Sequence, residues 1–162
     1  MSTLPPLSAL ADLIDASEVA SLAVWDQDFP RLSLVPYTVI RHPLRFCLLI
    51  SDLSAHTQPL RLNPRCSLLI HTNPEPDDPR SNHALTRLSV QGEAHFLTRE
   101  EAQAQGLDEI YQQKFPIADM LLDLEDFHFC QITPTEGLFI QGFGQAYRVT
   151  GENLDQLEHL KG

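Results

Sequence analysis

The sequence predicts a mainly β, α+β fold in which six or seven antiparallel strands close into a barrel with flanking helices. Three observations carry this. Short apolar or alternating runs recur along the chain, separated by clusters of Pro, Gly, Asn and Asp. Helical spacing is confined to the N-terminus and to residues 98–124. The runs FCLLI and GLFIQGF hold more apolar surface than one face of a small barrel needs, so the expected assembly is a two-fold homodimer. Closing the sheet would also remove its unpaired edges.

In order, Leu7, Leu10, Leu13 and Ile14 fall at helical spacing behind Pro5 and Pro6, which predicts a short amphipathic helix within 1–17. Barrel strands are expected over 19–97. They are VASLAVW, then RLSLVPYTVI, then RFCLLIS after the His42-Pro43 turn, then CSLLIHT, then LTRLSVQGEAHFL with Gly92 as a bulge. Between the third and fourth lies a short helix ended by Asn63-Pro64. The loop NPEPDDPRSNH has no core-forming residues and should be exposed and mobile.

Thr98 is placed to cap a helix running to about Lys114, where Pro116 ends it. A shorter helical piece follows, with Ile117, Met120, Leu121, Leu122 and Leu124 as core or dimer contacts. Residues 125–149 read as a hairpin, FHFCQIT and GLFIQGFGQAYRV, joined by a turn at Pro134-Thr135-Glu136-Gly137. Residues 150–162 are a tail. Gly142 and Gly144 flank Phe143 inside the second run, which marks either a close approach of a ligand or a barrel corner.

At 162 residues and 43% hydrophobic, the chain is expected to be one domain over 1–162. Acidic residues outnumber basic ones by 22 to 11, a formal charge of -11, which argues against nucleic acid or an anionic membrane as partner. Cys47, Cys66 and Cys130 are odd in number and set in apolar runs, so they read as buried thiols of a reducing compartment. No basic leader precedes an apolar core and no stretch approaches a membrane span, so a cytoplasmic protein is expected. No pattern for nucleophilic catalysis, zinc binding or a nucleotide P-loop appears.

The wording of GLFIQGFGQAYRVTGENL, followed by LEHL, resembles the C-terminal end of the heme-utilisation proteins of the HugZ/HutZ type, a branch of the pyridoxamine 5'-phosphate oxidase-like split barrels. SLVPYTV, LLISDLSAHTQPLRLNPRCSLLI and LTRLSVQGEAHFLTREEA resemble the strand, phosphate-loop and central-strand segments of that superfamily, in the same order. The resemblance covers residues 19 to 159. It implies a split barrel that binds heme at a homodimer interface. A C-terminal histidine would ligate the iron, hydrogen-bonded by an acidic residue from the partner subunit.

Asp126 stands at the matching acidic position. In the relatives the histidine lies just beyond the motif that here reads HLKG; His159 is the nearest histidine to that place. His56 and His128 are the next candidates, His128 because two residues apart in a strand it shares a face with Asp126. The flavin alternative rests on the phosphate loop. There the oxidase pattern Ser-Arg-Lys is replaced by Ser54, Ala55 and His56, and the first-strand arginine is replaced by Glu18-Val19-Ala20-Ser21. Arg87 sits where relatives place a basic residue facing the cofactor phosphate. Simpler readings make Ser54 a helix cap, His56 an exposed polar residue and Arg87 a sheet-edge charge.

The expected function is therefore a heme-utilisation protein, with oxidative heme degradation as its chemistry if it is an enzyme. The alternatives are an FMN-dependent oxidoreductase and a cofactor-free dimer with a regulatory role.

Overall fold

A computed structural model of the chain describes residues 4–79 and 81–162; Arg80, within the loop expected at 73–83, and residues 1–3 lie outside the described residues. The elements are α1 (Pro6–Ala16), β1 (Val19–Asp26), β2 (Phe29–Pro36), β3 (Thr38–Ile40), β4 (Arg45–Ser51), α2 (Thr57–Leu62), β5 (Arg65–His71) and β6 (Arg87–Phe96). They continue with α3 (Arg99–Ala104), α4 (Leu107–Lys114), α5 (Ala118–Leu121), β7 (Phe127–Gly142), β8 (Gln145–Thr150) and β9 (Gln156–His159), and a 3-10 turn spans Ser81–His83. All strand pairs are antiparallel, in the order β2-β1-β5-β6-β7-β4-β3, with β8 on β7 and β9 on β8.

The sheet curls because its two ends are consecutive pieces of chain. β2 and β3, read as one strand in the sequence, are separated by Tyr37 alone. Tyr37 is fully buried, its N–H donates to Glu18 O and its hydroxyl to Ile14 O at 2.6 Å. Inward-facing Leu22, Val24, Phe46, Leu48, Ile50, Leu68, Ile70, Leu88, Val90 and Phe139 fill the interior, joined by Leu10 and Ile14 of α1 and Leu60 of α2. A second core lies outside the sheet, where Leu107 and Tyr111 of α4 and Ala118 of α5 cover Cys47, Leu49 and Phe129. Cys47, Cys66 and Cys130 are buried and unpaired, as the sequence predicts, and burial pushes their thiols up to about 11, 12 and 12.

The 125–149 hairpin is corrected. Pro134 to Gly137 are not a turn: β7 runs unbroken for 16 residues through them. A bulge accommodates the proline, since Gln91 pairs with Glu136 and Gly92 with Pro134, leaving Thr135 unmatched, with its hydroxyl on Gln91 O. Gly92 is needed at that crossing: a Cβ there would lie 2.6 Å from Ile132 Cγ2 and 2.7 Å from Thr133 O. The true hairpin turn is Phe143-Gly144, Gly144 adopting φ 71°. The helix expected from Thr98 to Lys114 is capped as foreseen, Thr98 accepting from Glu101 N, but breaks at Gly106, whose φ of 65° ends one helix and starts the next. The tail is partly a strand, β9.

Candidate functional site

β4 ends at Ser51, opposite Phe127 at the start of β7, so the residues flanking that pair meet. Ser51 Oγ donates to Asp126 Oδ2 at 2.6 Å, and the Asp52 N–H donates to Asp126 O at 2.7 Å. His128 Nε2 lies 2.8 Å from Asp52 Oδ2, and this hydrogen bond holds the Asp52 carboxyl below its ordinary range. Arg61 reaches Asp52 at 3.5 Å with its guanidinium 3.9 Å above the Phe96 ring. Asp126 lies in the turn just before β7 and His128 within it, and each has its own partner at the end of β4. Neither Ser51 nor Asp52 was foreseen; they lie 75 and 76 residues from their partners, and only the β4–β7 register joins them.

Ser54 sits in the turn leading into α2, its N–H on Ser51 O and its carbonyl accepting from Thr57 N; no side chain caps that helix, so the capping role is corrected. His56 is not an exposed polar residue. It is 8% exposed, with Nδ1 3.0 Å from Ser33 Oγ and Nε2 buried without a partner, and burial pushes its pKa below the ordinary value. The misreading has a plain cause: the Ser33 contact comes from a distant strand.

Arg87, Gly142, Phe143, Gly144 and His159 gather at the other end of β7. Arg87 opens β6 between His71 and Ile140, inside the sheet rather than at its edge, and donates to Leu85 O at 3.0 Å. Gly142 closes β7, Phe143 is exposed at the tip, and Gly144 has open space around it, so its glycine serves the turn. His159, at the end of β9, lies 2.9 Å from Gly144 O through Nε2 and 5.1 Å from the Tyr147 ring centroid. Sixteen residues of extended strand span roughly 50 Å, so one chain does not bring Asp126 to His159. A hydrogen bond between them requires a second chain.

Gly144 O only accepts, so His159 Nε2 carries a proton, and in the neutral ring Nδ1 is then the nitrogen with a lone pair. That is the state in which an imidazole binds a metal while its other nitrogen is anchored on a carbonyl. Among the described residues no three His, Cys, Asp or Glu side chains converge to hold a metal ion. No helix among the described residues is long and apolar enough to cross a membrane.

Residues 25–156 match the family model described as CREG, beta-barrel. The chain is similar to heme oxygenase HutZ of Vibrio cholerae, 29% identical over 136 residues that make up 83% of this chain and 75% of HutZ. It is 27% identical over 152 residues to the non-canonical heme oxygenase HOZ, chloroplastic, of Arabidopsis thaliana, covering 92% of this chain but 44% of that one. A solved heme binding protein from Mycobacterium smegmatis superposes with a TM-score of 0.76 at 24% identity, over 95% of this chain and 62% of the other.

Proposed function

The chain belongs to the CREG β-barrel family and has the fold of the pyridoxamine 5'-phosphate oxidase-like split barrels, and from that premise we propose that it is a heme-utilisation protein binding heme at a homodimer interface. The observation that carries the reading is the likeness to HutZ across most of the barrel, and His159, anchored through Nε2 on Gly144 O, fits it. In the proposed site His159 holds the iron. Asp126 from the second subunit, oriented by Ser51, takes over from Gly144 as acceptor of the Nε2 proton and raises the ring's basicity. Tyr147 lies beside the ring, Phe143 offers exposed apolar surface at the β7–β8 turn, and Arg87 is the candidate for an anionic edge of the cofactor. Bound heme supplies a redox-active iron and, in an oxidative degradation such as the names of two relatives describe, is itself the substrate.

The dimer reading rests on the outer face of the sheet. Register places Leu34, Ser21, Leu69, Ser89 and Leu138 in one outward row across β2, β1, β5, β6 and β7. Leu34 is 69% exposed, Leu32 beside it 75%, and Trp25 extends the apolar surface. Residues Ala9, Asp12 and Leu13 of α1 flank one end of this row, lining a cavity with Ser21, Leu34 and Leu69, and α4 and α5 cover the outer face of β4. The three unpaired thiols support a reducing compartment, the cytoplasm.

FMN is less well served. Around the old phosphate loop Arg61 is engaged by Asp52, and the carboxylates Asp52 and Asp126 would oppose a phosphate dianion. Titrating the apo-protein with hemin and with FMN decides among the readings. Heme binding predicts a saturable Soret shift; quenched flavin fluorescence instead would favour the oxidoreductase. If neither binds below about 100 μM, or ~5.5 kcal/mol, the cofactor-free dimer stands.

A further inference from the structure

On the helix-covered side of the sheet, a groove of about 580 Å³ opens between the β3–β4 turn and the α3–α4 break. Its walls include Arg41, Arg45, Gln105 and Gln131 with apolar Ile40 and Ile110, and among the described residues no Asp or Glu lines it. This is unusual for the molecule, which carries 22 acidic and 11 basic residues. Of the two other large cavities, the one under α1 is lined by Asp12 and Glu18, and the one beside the β6 bulge matches Arg65 with Glu93. An anion is repelled by the protein as a whole and attracted here.

We propose that this groove binds a small organic anion: a carboxylate or phosphate held by the Arg45 guanidinium and the glutamine amide beside it, with a compact apolar body against Ile40 and Ile110. The donors are fixed in place. Leu44 N donates to Glu152 O and His42 N to Asn153 Oδ1, which anchors the turn between the two arginines. Arg41, at the rim, is already engaged by Asp15 at 2.7 Å, so the guanidinium left for an anion is that of Arg45. Arg45 gives one N–H to Leu44 O and, among the described residues, is paired with no carboxylate. The floor is polar as well. Gln131, 7% exposed, donates Nε2 to Gln105 Oε1 at 2.6 Å, which turns the Gln105 amide N–H groups away from it as further donors. The volume lies within the range of ordinary small-ligand sites, and donors already held in position lose little freedom when an oxyanion arrives.

The test uses the full chain and side-chain nitrogen NMR, with benzoate and inorganic phosphate as probes at constant ionic strength. Saturable shifts at the Gln105 and Gln131 amides and at Arg45 Nε–H are expected, and the tighter probe identifies the class. Arg45→Gln should weaken binding by about 10-fold or more, the loss of one charge-assisted contact. Because Gln105 is exposed, Gln105→Leu serves as a second variant that keeps the fold and should also weaken binding. No saturable shift with either probe up to about 10 mM, or affinity unchanged in both variants, overturns the assignment.

Discussion

Gly92→Ala tests the crossing on which the long strand depends. The added methyl would sit 2.6 Å from Ile132 Cγ2 and 2.7 Å from Thr133 O, about 1 Å inside normal contact. The oxygen is backbone in a paired strand, so it cannot rotate away; β6 and β7 must separate or the bulge must shift. Over-packing of this type costs about 1–3 kcal/mol, offset by ~0.4–1 kcal/mol from the stiffer unfolded chain. The net loss is then about 1–2 kcal/mol, and at roughly 2 kcal/mol/M in urea the unfolding midpoint should fall by ~0.5–1 M. Gly144→Ala is the contrast. It has open space but φ 71°, so its cost of about 1–2 kcal/mol is purely conformational and leaves the β6–β7 register untouched. A Gly92→Ala midpoint equal to the wild type would refute the close-approach reasoning.

Three further outcomes are expected. His159→Ala should abolish the hemin Soret shift, and Asp126→Asn should weaken hemin binding by about 10–100-fold with the dimer intact; unchanged affinity in His159→Ala would move the ligand role to His128 or His56. Leu34→Glu should convert the dimer to monomer by light scattering at micromolar concentration, because two-fold symmetry places the charge on both sides of the apolar row; a two-chain mass would count against that face. His56 is buried with a depressed pKa, so the unfolded chain takes up its proton first. Its effect is therefore absent above about pH 6.5, and stability is lost as pH falls from there toward the folded-state pKa. Urea unfolding at several pH values should show a shallower acid-side loss in His56→Leu, and an identical slope would contradict the burial argument.

Local chemistry was legible wherever it decided structure by itself. Thr98 accepts from Glu101 N as its spacing foretold, Gly92 marks the bulge, and the three cysteines are buried thiols. The failures share a different origin. Pro134 and Gly137 carry turn chemistry, but pairing with β6 along their whole length holds them extended, and the unmatched Thr135 absorbs the conflict. Gly106 fits a continuous helical pattern yet takes φ 65°, a choice propensity does not reveal. His56 lies in a polar stretch and is buried by Ser33, 23 residues away. Asp126 was singled out by resemblance, but its orienting partner Ser51 is a product of strand register alone.

The single-residue link at Tyr37 constrains how the barrel can come apart. β2 and β3 are the terminal strands of the hydrogen-bonded path, yet one residue spans no more than about 3.8 Å between neighbouring Cα atoms, so the sheet cannot unroll flat while both remain paired. Any opening must first break one ladder along that path. The β3–β4 ladder has three residue pairs and the β2–β1 ladder eight, so the short one is the seam. Amides of Thr38–Ile40 should exchange with solvent earlier than those of the β6–β7 ladder, and the Tyr37 hydroxyl on Ile14 O is the latch that opposes it.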